Sequence, residues 1–313
     1  MKKFIVKIII TLFITLLITA ICWRAMALYP DRLCAYTHEV NIAHQASRLK
    51  NSNGERIIII GGSGCGFGIC SPMIAEHFSK EVFNTGTTAN LGLRLQLNIY
   101  KEFVSKGDIV VVIPEYQQFM GNYYLGSDIA LRILTTIYPK GYKTLNLRQQ
   151  LHLAKYVPRA FEDAVKCRNV NKYPFPGKPC YENTAFNDYG DVELYDHRKC
   201  EVQDWKQQKM EGEFNSDVIE LLQDYNSYCN AANAQMLIAP PAYMATQFNY
   251  NKTDIDTIWK ALKDAGLPTI STPIEYRTAD SLHFDTDYHL TYEGTIYRTT
   301  KLISDIEAYM EGN

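Results

Sequence analysis

Arg56-Ile57-Ile58-Ile59-Ile60-Gly61-Gly62-Ser63-Gly64 opens the regular part of this chain. Four β-branched residues in a row, with no polar alternation, mark a strand buried on both faces, as in a parallel sheet covered by helices. The glycines after it let the backbone turn sharply and leave room for a close approach. The same punctuation continues downstream. Pro72 to Phe78 predicts a short helix, and Glu81-Val82-Phe83-Asn84 a short second strand. Leu93, Leu97, Tyr100 and Val104 recur at helical spacing up to Gly107, and Ile109-Val110-Val111-Val112-Ile113 is a second fully buried strand stopped by Pro114.

The pattern resumes near residue 215. Ser216 caps a helix with Val218, Leu221, Leu222 and Tyr225 on its inner face. Met236-Leu237-Ile238-Ala239 reads as a strand ended by Pro240-Pro241, and Ile255, Trp259 and Leu262 as a helix closed by Gly266. Leu267–Ile270 is a weaker last strand, and Ile296, Ile303, Ile306 and Met310 form the final helix. Strands alternating with helices imply an α/β fold with a parallel sheet of about five strands, whose ligands bind beyond the carboxyl ends of the strands. Residues 120–213 interrupt the alternation as an insertion capping one end of the sheet. Ile129–Ile137 and Leu147–Val165 in it look helical, with Pro158 bending or breaking the second.

The N-terminus differs from the rest. Lys2, Lys3 and Lys7 precede an apolar run that reaches Trp23. Counted from Phe4 it is about 20 residues, enough to cross a hydrocarbon core of about 30 Å. The flanking lysines keep the N-terminus in the cytoplasm and send the remainder across, making a single-pass protein with an extracytoplasmic main domain. A cleaved signal is the competing reading, since Ala25-Met26-Ala27 fits the small-x-small rule, while Ile21 before Cys22 is too large for a lipoprotein signal. Residues 1–27 are thus anchor or signal, 28–54 a polar stalk or loose start, and 55–313 the main domain. With 313 residues, 46% of them hydrophobic and 21% charged, a substantial core is expected. A net charge of -2 without a basic tract argues against nucleic acid as a partner. Of eight cysteines, Cys167, Cys180 and Cys200 crowd one irregular stretch with Cys229 shortly after, and two of these four are expected to pair in an oxidising compartment. No Cys/His spacing suggests a metal.

The turn Gly61 to Gly68 carries the first chemical signal. A dinucleotide fingerprint fails because Phe67 stands at its third glycine, and no lysine follows to make a phosphate loop. A serine nucleophile at the sheet's carboxyl edge remains, beside the simpler reading of a turn with an idle serine. The second signal is Phe284-Asp285-Thr286-Asp287-Tyr288-His289-Leu290. Histidine is the best base for a seryl hydroxyl near neutral pH, and a carboxylate orients it. Asp285 is the first choice for that carboxylate and Asp287 the second.

These segments resemble the SGNH hydrolase superfamily, in the branch of bacterial membrane-anchored, extracytoplasmic proteins linked to acylation of surface polysaccharides. Gly61-Gly62-Ser63 with Phe67-Gly68 is similar to the nucleophile block, and Asn84-Thr85-Gly86 stands where a second block supplies a glycine N–H. Gly107-Asp108-Ile109-Val110 through Pro114-Glu115-Tyr116-Gln117-Gln118-Phe119 resembles the third block, and Phe284–Gly294 the block carrying the base. The resemblance implies a flavodoxin-like three-layer sandwich and a serine esterase or O-acyltransferase with Ser63, His289 and Asp285 as its triad. It implies oxyanion donors at the N–H groups of Ser63 and Gly86, with Gly64, Asn84, Glu115 and Tyr116 as pocket candidates. It also implies an acylated glycan or an acyl donor as substrate, a membrane-bound O-acyltransferase as partner, and no metal or cofactor. Glu115 stands where the third block usually offers asparagine, and Thr286 where the last block usually places aspartate. Glu115 reads either as an active-site carboxylate or as the partner of a basic group at the strand end. Asn187-Asp188-Tyr189-Gly190-Asp191 reads either as a polar turn or as a cation or pocket segment. A catalytically silent protein of the same fold, serving polysaccharide assembly or binding, is the alternative.

Overall fold

A computed structural model supplies the structure and describes residues 2–28, 37–167, 178–202 and 205–312. Its central sheet holds four parallel strands, β1 (Arg56–Gly61), β2 (Glu81–Asn84), β3 (Ile109–Ile113) and β4 (Gln235–Ile238), in the order β2-β1-β3-β4. The expected fifth strand, Leu267–Ile270, is reduced to one bridge between Ile238 and Thr269. Pro268 has no N–H to offer a ladder, and only its carbonyl is used, by Ile238 N–H at 2.8 Å.

Helices cover both faces. Before β1 come α1 (Lys2–Leu28) and α2 (Asn41–Asn51); α3 (Ser63–Gly66) and α4 (Ser71–Phe78) follow β1, and α5 (Leu93–Lys101) follows β2. Between β3 and β4 lie α6 (Asp128–Thr136), α7 (Leu147–Ala154), α8 (Val157–Cys167) and α9 (Asp217–Ala231). After β4 the chain forms α10 (Ala245–Tyr250), α11 (Lys252–Asp264) and α12 (Tyr292–Glu311), with a small parallel pair β5 (Tyr243–Met244) and β6 (Arg277–Thr278). Successive residues of a strand point to opposite faces. Ile58 and Ile60 accordingly pack with Val110, Val112, Leu97 of α5, Leu222 of α9 and Ile258 of α11, whereas Ile57 and Ile59 pack with Val111, Leu237, Ile74 of α4 and Leu302 and Ile306 of α12. The result is helices, sheet, helices in three layers.

Two further expectations need correction, and one holds. The segment read as a stalk contains α2, whose Ile42, Ala46 and Leu49 are buried in the first core; residues 29–36 lie outside the described residues. The helical stretch over 147–165 is broken near Pro158, as expected: it is two helices, and Pro158 falls in the first turn of α8, where its missing N–H is harmless. Cys180, Cys200 and Cys229 are free thiols, so the expected pairing does not form among them; the side chain of Cys167 lies outside the described residues.

The insertion is closed at its base by an antiparallel bridge between Met120 and Phe214 and by Gly121 N–H donating to Glu213 O at 2.8 Å. Its helices do more than cap an end. Leu131, Leu134, Leu153 and Val157 enlarge the first core, and α8 packs against α1. Trp23 of α1 meets Tyr142 with ring centroids 4.8 Å apart. Over Lys2–Ala25, α1 is exposed and long and apolar enough to cross a membrane.

At the amino ends of the strands, Arg56 and Asp108 form a buried two-bond ion pair, Nε to Oδ1 at 3.0 Å and Nη2 to Oδ2 at 2.6 Å. The guanidinium also donates to the carbonyls of Leu49 and Phe103, so one side chain ties α2 and the end of α5 to the start of β1. Removing one partner leaves the other charge buried and unpaired, which costs about 3–5 kcal/mol. Asp108→Ala is expected to lose that much in urea unfolding; a loss below about 1 kcal/mol would contradict this role.

Candidate active site

The register of β1 with β3 builds the site. Gly61 pairs with Ile113, so Ser63 and Glu115 each stand two residues beyond a matched position and emerge side by side. β1 is followed by β2 on one side of it, while β3 leads to β4 on the other. The crevice between their carboxyl ends is therefore a topological switch point, the usual place for a ligand in an open α/β sheet. A cavity of about 340 Å³ lies there, lined by Ser63, Glu115, Gln117, Thr88, Asn90, Tyr123, Gln208, Lys209, Met210, Tyr243, Thr286, Asp287, Tyr288, Ala89 and His289.

Ser63 is half-buried and is the first residue of α3, so its N–H has no acceptor within the helix. The next N–H, of Gly64, donates to Glu115 Oε1 at 3.2 Å. Gly62 makes this contact sterically feasible: a Cβ there would lie 2.3 Å from Glu115 Oε1. Of the two readings of Glu115, active-site carboxylate or partner of a basic group, the second finds no ion pair among the described residues; the Ser63 hydroxyl and the Gly64 N–H are its polar neighbours. Burial pushes its carboxyl up to about 7, with the charge of Asp287 adding to the rise and the bonds from Gly64 and Ser63 only partly opposing it.

His289 reaches the cavity from a tightly tied loop. Phe284 N–H donates to His289 O at 2.8 Å, and Leu290 N–H to Phe67 O at 3.2 Å. The Thr286 hydroxyl accepts the N–H groups of Tyr288 and His289 at 3.2 and 3.0 Å. That turn brings Asp285 back to the ring: His289 Nδ1 lies 2.9 Å from Asp285 Oδ1. The Tyr181 hydroxyl donates to Asp285 Oδ2 at 2.8 Å and lies 3.1 Å from His289 Nδ1, and Lys178 Nζ donates to the same Oδ2 at 3.2 Å. With Nδ1–H spent on a carboxylate, Nε2 is the basic nitrogen. Phe67 stacks on the imidazole with centroids 4.2 Å apart. Burial raises the Asp285 carboxyl, but its bonds from His289, Tyr181 and Lys178 outweigh that and hold it below the usual range. Burial likewise lowers the His289 imidazole, against the opposing pull of Asp285. Asp287 does not touch the ring; it lines the cavity beside Tyr243, and burial pushes it up to about 6. No hydrogen bond joins Ser63 to His289, although both face the same space.

Other sequence-derived candidates fall elsewhere. Gly86 N–H donates to Asn84 Oδ1 at 3.1 Å, so the donor expected for an oxyanion is engaged inside the protein. Asn84 is fully buried and outside the cavity, donating to Cys65 O and to Asp191 Oδ1. Asp191 also accepts from the Ser71 N–H and hydroxyl, and Asn187 Oδ1 accepts the N–H groups of Gly190 and Asp191. The 187–191 segment is thus a structural turn that buttresses Asn84. Tyr116 is buried, and its N–H donates to the Tyr288 hydroxyl at 3.2 Å.

Sequence reasoning missed Tyr181 and Lys178, which stand alone in an irregular segment and carry no local signal. It also missed the strap at 206–210. There Gln247 donates to Lys206 O at 2.8 Å and accepts from Gln208 N–H at 3.0 Å, while Asn251 donates to Gln208 O at 2.9 Å and accepts from Met210 N–H at 3.0 Å. These amides hold Gln208, Lys209 and Met210 against the cavity. Among the described residues no cluster of His, Cys, Asp or Glu could hold a metal ion.

The sign of the Glu115 shift makes a test. Unfolded, this carboxyl ionises near 4.5; folded, near 7. The native protein therefore holds a proton that the unfolded chain releases, and stability falls as pH rises through that window. Glu115→Gln removes the penalty and keeps an acceptor for Gly64. It is expected to raise the melting temperature at pH 8 by an amount equivalent to about 2–3 kcal/mol, and hardly at pH 4. An equal effect at both pH values would contradict a raised Glu115. A comparison of the chain with protein-family models finds no match, and neither does a comparison with curated proteins.

Proposed function

We propose that the chain is an extracytoplasmic acyl-transfer enzyme of the SGNH type, an esterase or O-acyltransferase working through Ser63, His289 and Asp285. One observation carries the reading: an imidazole fixed by a carboxylate through Nδ1 opens onto the same cavity as a serine at the carboxyl end of β1. Further support comes from the strand order, which begins the 2-1-3-4-5 order of flavodoxin-like sheets. Ser63 Oγ attacks an ester carbonyl carbon while its proton passes to His289 Nε2. The carbonyl electron pair moves onto oxygen, which the Ser63 N–H faces. Collapse expels the alcohol, protonated by His289, and leaves an acyl-serine. Water or a sugar hydroxyl then attacks with His289 again as base. The cavity lining suits a polar, hydroxyl-rich substrate such as a glycan: it includes the half-buried Tyr123 and the side-chain amides of Asn90 and Gln208. α1 serves as a signal-anchor, with the main domain on the extracytoplasmic side and a membrane-bound O-acyltransferase as the supplier of acyl groups.

A second reading has its own support. Gly86 N–H is occupied by Asn84, and Gly64 N–H by Glu115, which leaves few backbone donors for an oxyanion. That arrangement suits a catalytically silent protein of surface-polysaccharide assembly or binding. The test uses the full chain in detergent, a p-nitrophenyl ester and a serine-directed phosphonate. The enzyme reading expects turnover, labelling abolished in Ser63→Ala, and turnover slowed about 10²–10⁴-fold in His289→Ala. A folded protein with neither labelling nor turnover is the silent one.

A further inference from the structure

We propose that Glu115 acts as a neutral carboxylic acid whose O–H donates to the substrate's carbonyl oxygen as negative charge develops there. The inference rests on the acyl-transfer reading and adds a catalytic residue to it. It follows from counting donors around Ser63. A developing oxyanion needs aimed hydrogen-bond donors, and losing one costs about 10²–10³ in rate. Gly86 N–H is committed to Asn84 Oδ1, behind the cavity wall. Gly64 N–H is committed to Glu115 Oε1. Ser63 N–H, at the first residue of α3, has no acceptor within the helix, and the Glu115 carboxyl stands beside it on the same cavity.

An ionised carboxylate at that point would repel an oxyanion; a neutral one would bind it. The surroundings favour the neutral form. Glu115 is 7% exposed and has no ion pair among the described residues. Asp287, Tyr123, Tyr288 and Cys65 are the titratable groups that act on it or feel its charge, and each would be anionic if ionised. Lys209 and His289 line the same cavity, and neither bonds to Glu115. Burial accordingly lifts the carboxyl to about 7. In the acid form Oε1 still accepts the Gly64 N–H, so the group stays fixed while the hydroxyl donates. A carboxyl kept neutral by its site can serve as an oxyanion donor in this way. No proton is transferred from Glu115 in the step; Ser63's proton goes to His289, and the O–H of Glu115 only shortens its bond to the charged oxygen.

The experiment is a pH profile of kcat/KM on the p-nitrophenyl ester, for the full chain in detergent and for Glu115→Gln and Glu115→Ala, with melting curves to check folding. The wild type is expected to show two limbs, rising as His289 loses its proton and falling as Glu115 ionises above about pH 7. In Glu115→Gln the amide N–H replaces the O–H and does not titrate, so the alkaline fall disappears. Glu115→Ala is expected to be about 10²–10³-fold slower at neutral pH. An alanine variant as fast as or faster than the wild type, an alkaline fall retained in Glu115→Gln, or complete loss in Glu115→Gln overturns the proposal. Those results, with turnover still lost in Ser63→Ala, overturn Glu115 alone; wild-type turnover that survives Ser63→Ala, or is absent altogether, overturns the acyl-transfer reading and this inference with it.

Discussion

The pairing of β1 with β3 governs everything at the carboxyl end of the sheet. Two adjacent strands in parallel register send their next residues out together, and the chain departs from them in opposite directions. The matched pair Gly61 and Ile113 therefore determines that Ser63 and Glu115 share a crevice. At the other end of the same strands, Arg56 grips Asp108 with two short bonds and reaches the carbonyls that close α2 and α5. A one-residue slip would break that ion pair, turn Ile57 and Ile59 into the wrong core, and separate the serine from the glutamate. Few registers are so strongly specified, since both faces of the sheet and one buried charge pair have to agree.

Behind the crevice a second polar network makes the turn after β1 rigid. Asp191 collects the Ser71 N–H, the Ser71 hydroxyl and Asn84 Nδ2, and Asn84 in turn holds Cys65 O and Gly86 N–H. Each of these groups is buried and satisfied, which makes the network a positioning device for the start of α3. Glycine is required at 86 because a Cβ would lie 2.3 Å from the Cβ of Cys65 and 2.7 Å from Gly62 O. The same closeness explains why that N–H faces inward and not into the cavity.

The sheet was legible because β-branched runs at 57–60 and 109–113 have few other uses. What the sequence concealed follows from the range of the interactions. Leu267–Ile270 has strand composition, but Pro268 removes the donor a ladder needs. α2 is short and mostly polar, and its Ile42, Ala46 and Leu49 count as core only once a sheet stands beneath them. Ser63, His289 and Asp285 could be named from local motifs. Tyr181 and Lys178 could not, since they meet Asp285 across 104 and 107 residues. The bond from Gly86 to Asn84 did carry a local signal, because asparagine commonly accepts from the N–H two residues on. Glu115 could be named from its place just beyond β3, but its lack of a cation among the described residues is a property of the folded surroundings alone.

Three carboxyls stand at or beside the cavity that His289 lines, and their protonation is divided by solvation and not by sequence. Asp285 and Asp287 are two residues apart on one loop. The first receives His289, Tyr181 and Lys178 and stays ionised; the second receives little beyond Tyr243 and is pushed up to about 6. Glu115, from the loop after β3, is pushed by burial to about 7, with the bonds from Gly64 and Ser63 only partly opposing the rise. A carboxylate with three donors can stabilise a protonated imidazole. A carboxyl without a cation and with a raised pKa is poorly suited to that role. The loop geometry produced by Thr286 is what selects between the two aspartates, because its hydroxyl ties the N–H groups of Tyr288 and His289 and turns Asp285 toward Nδ1. Thr286 thus supplies the bend that lets Asp285, the residue before it, reach the ring.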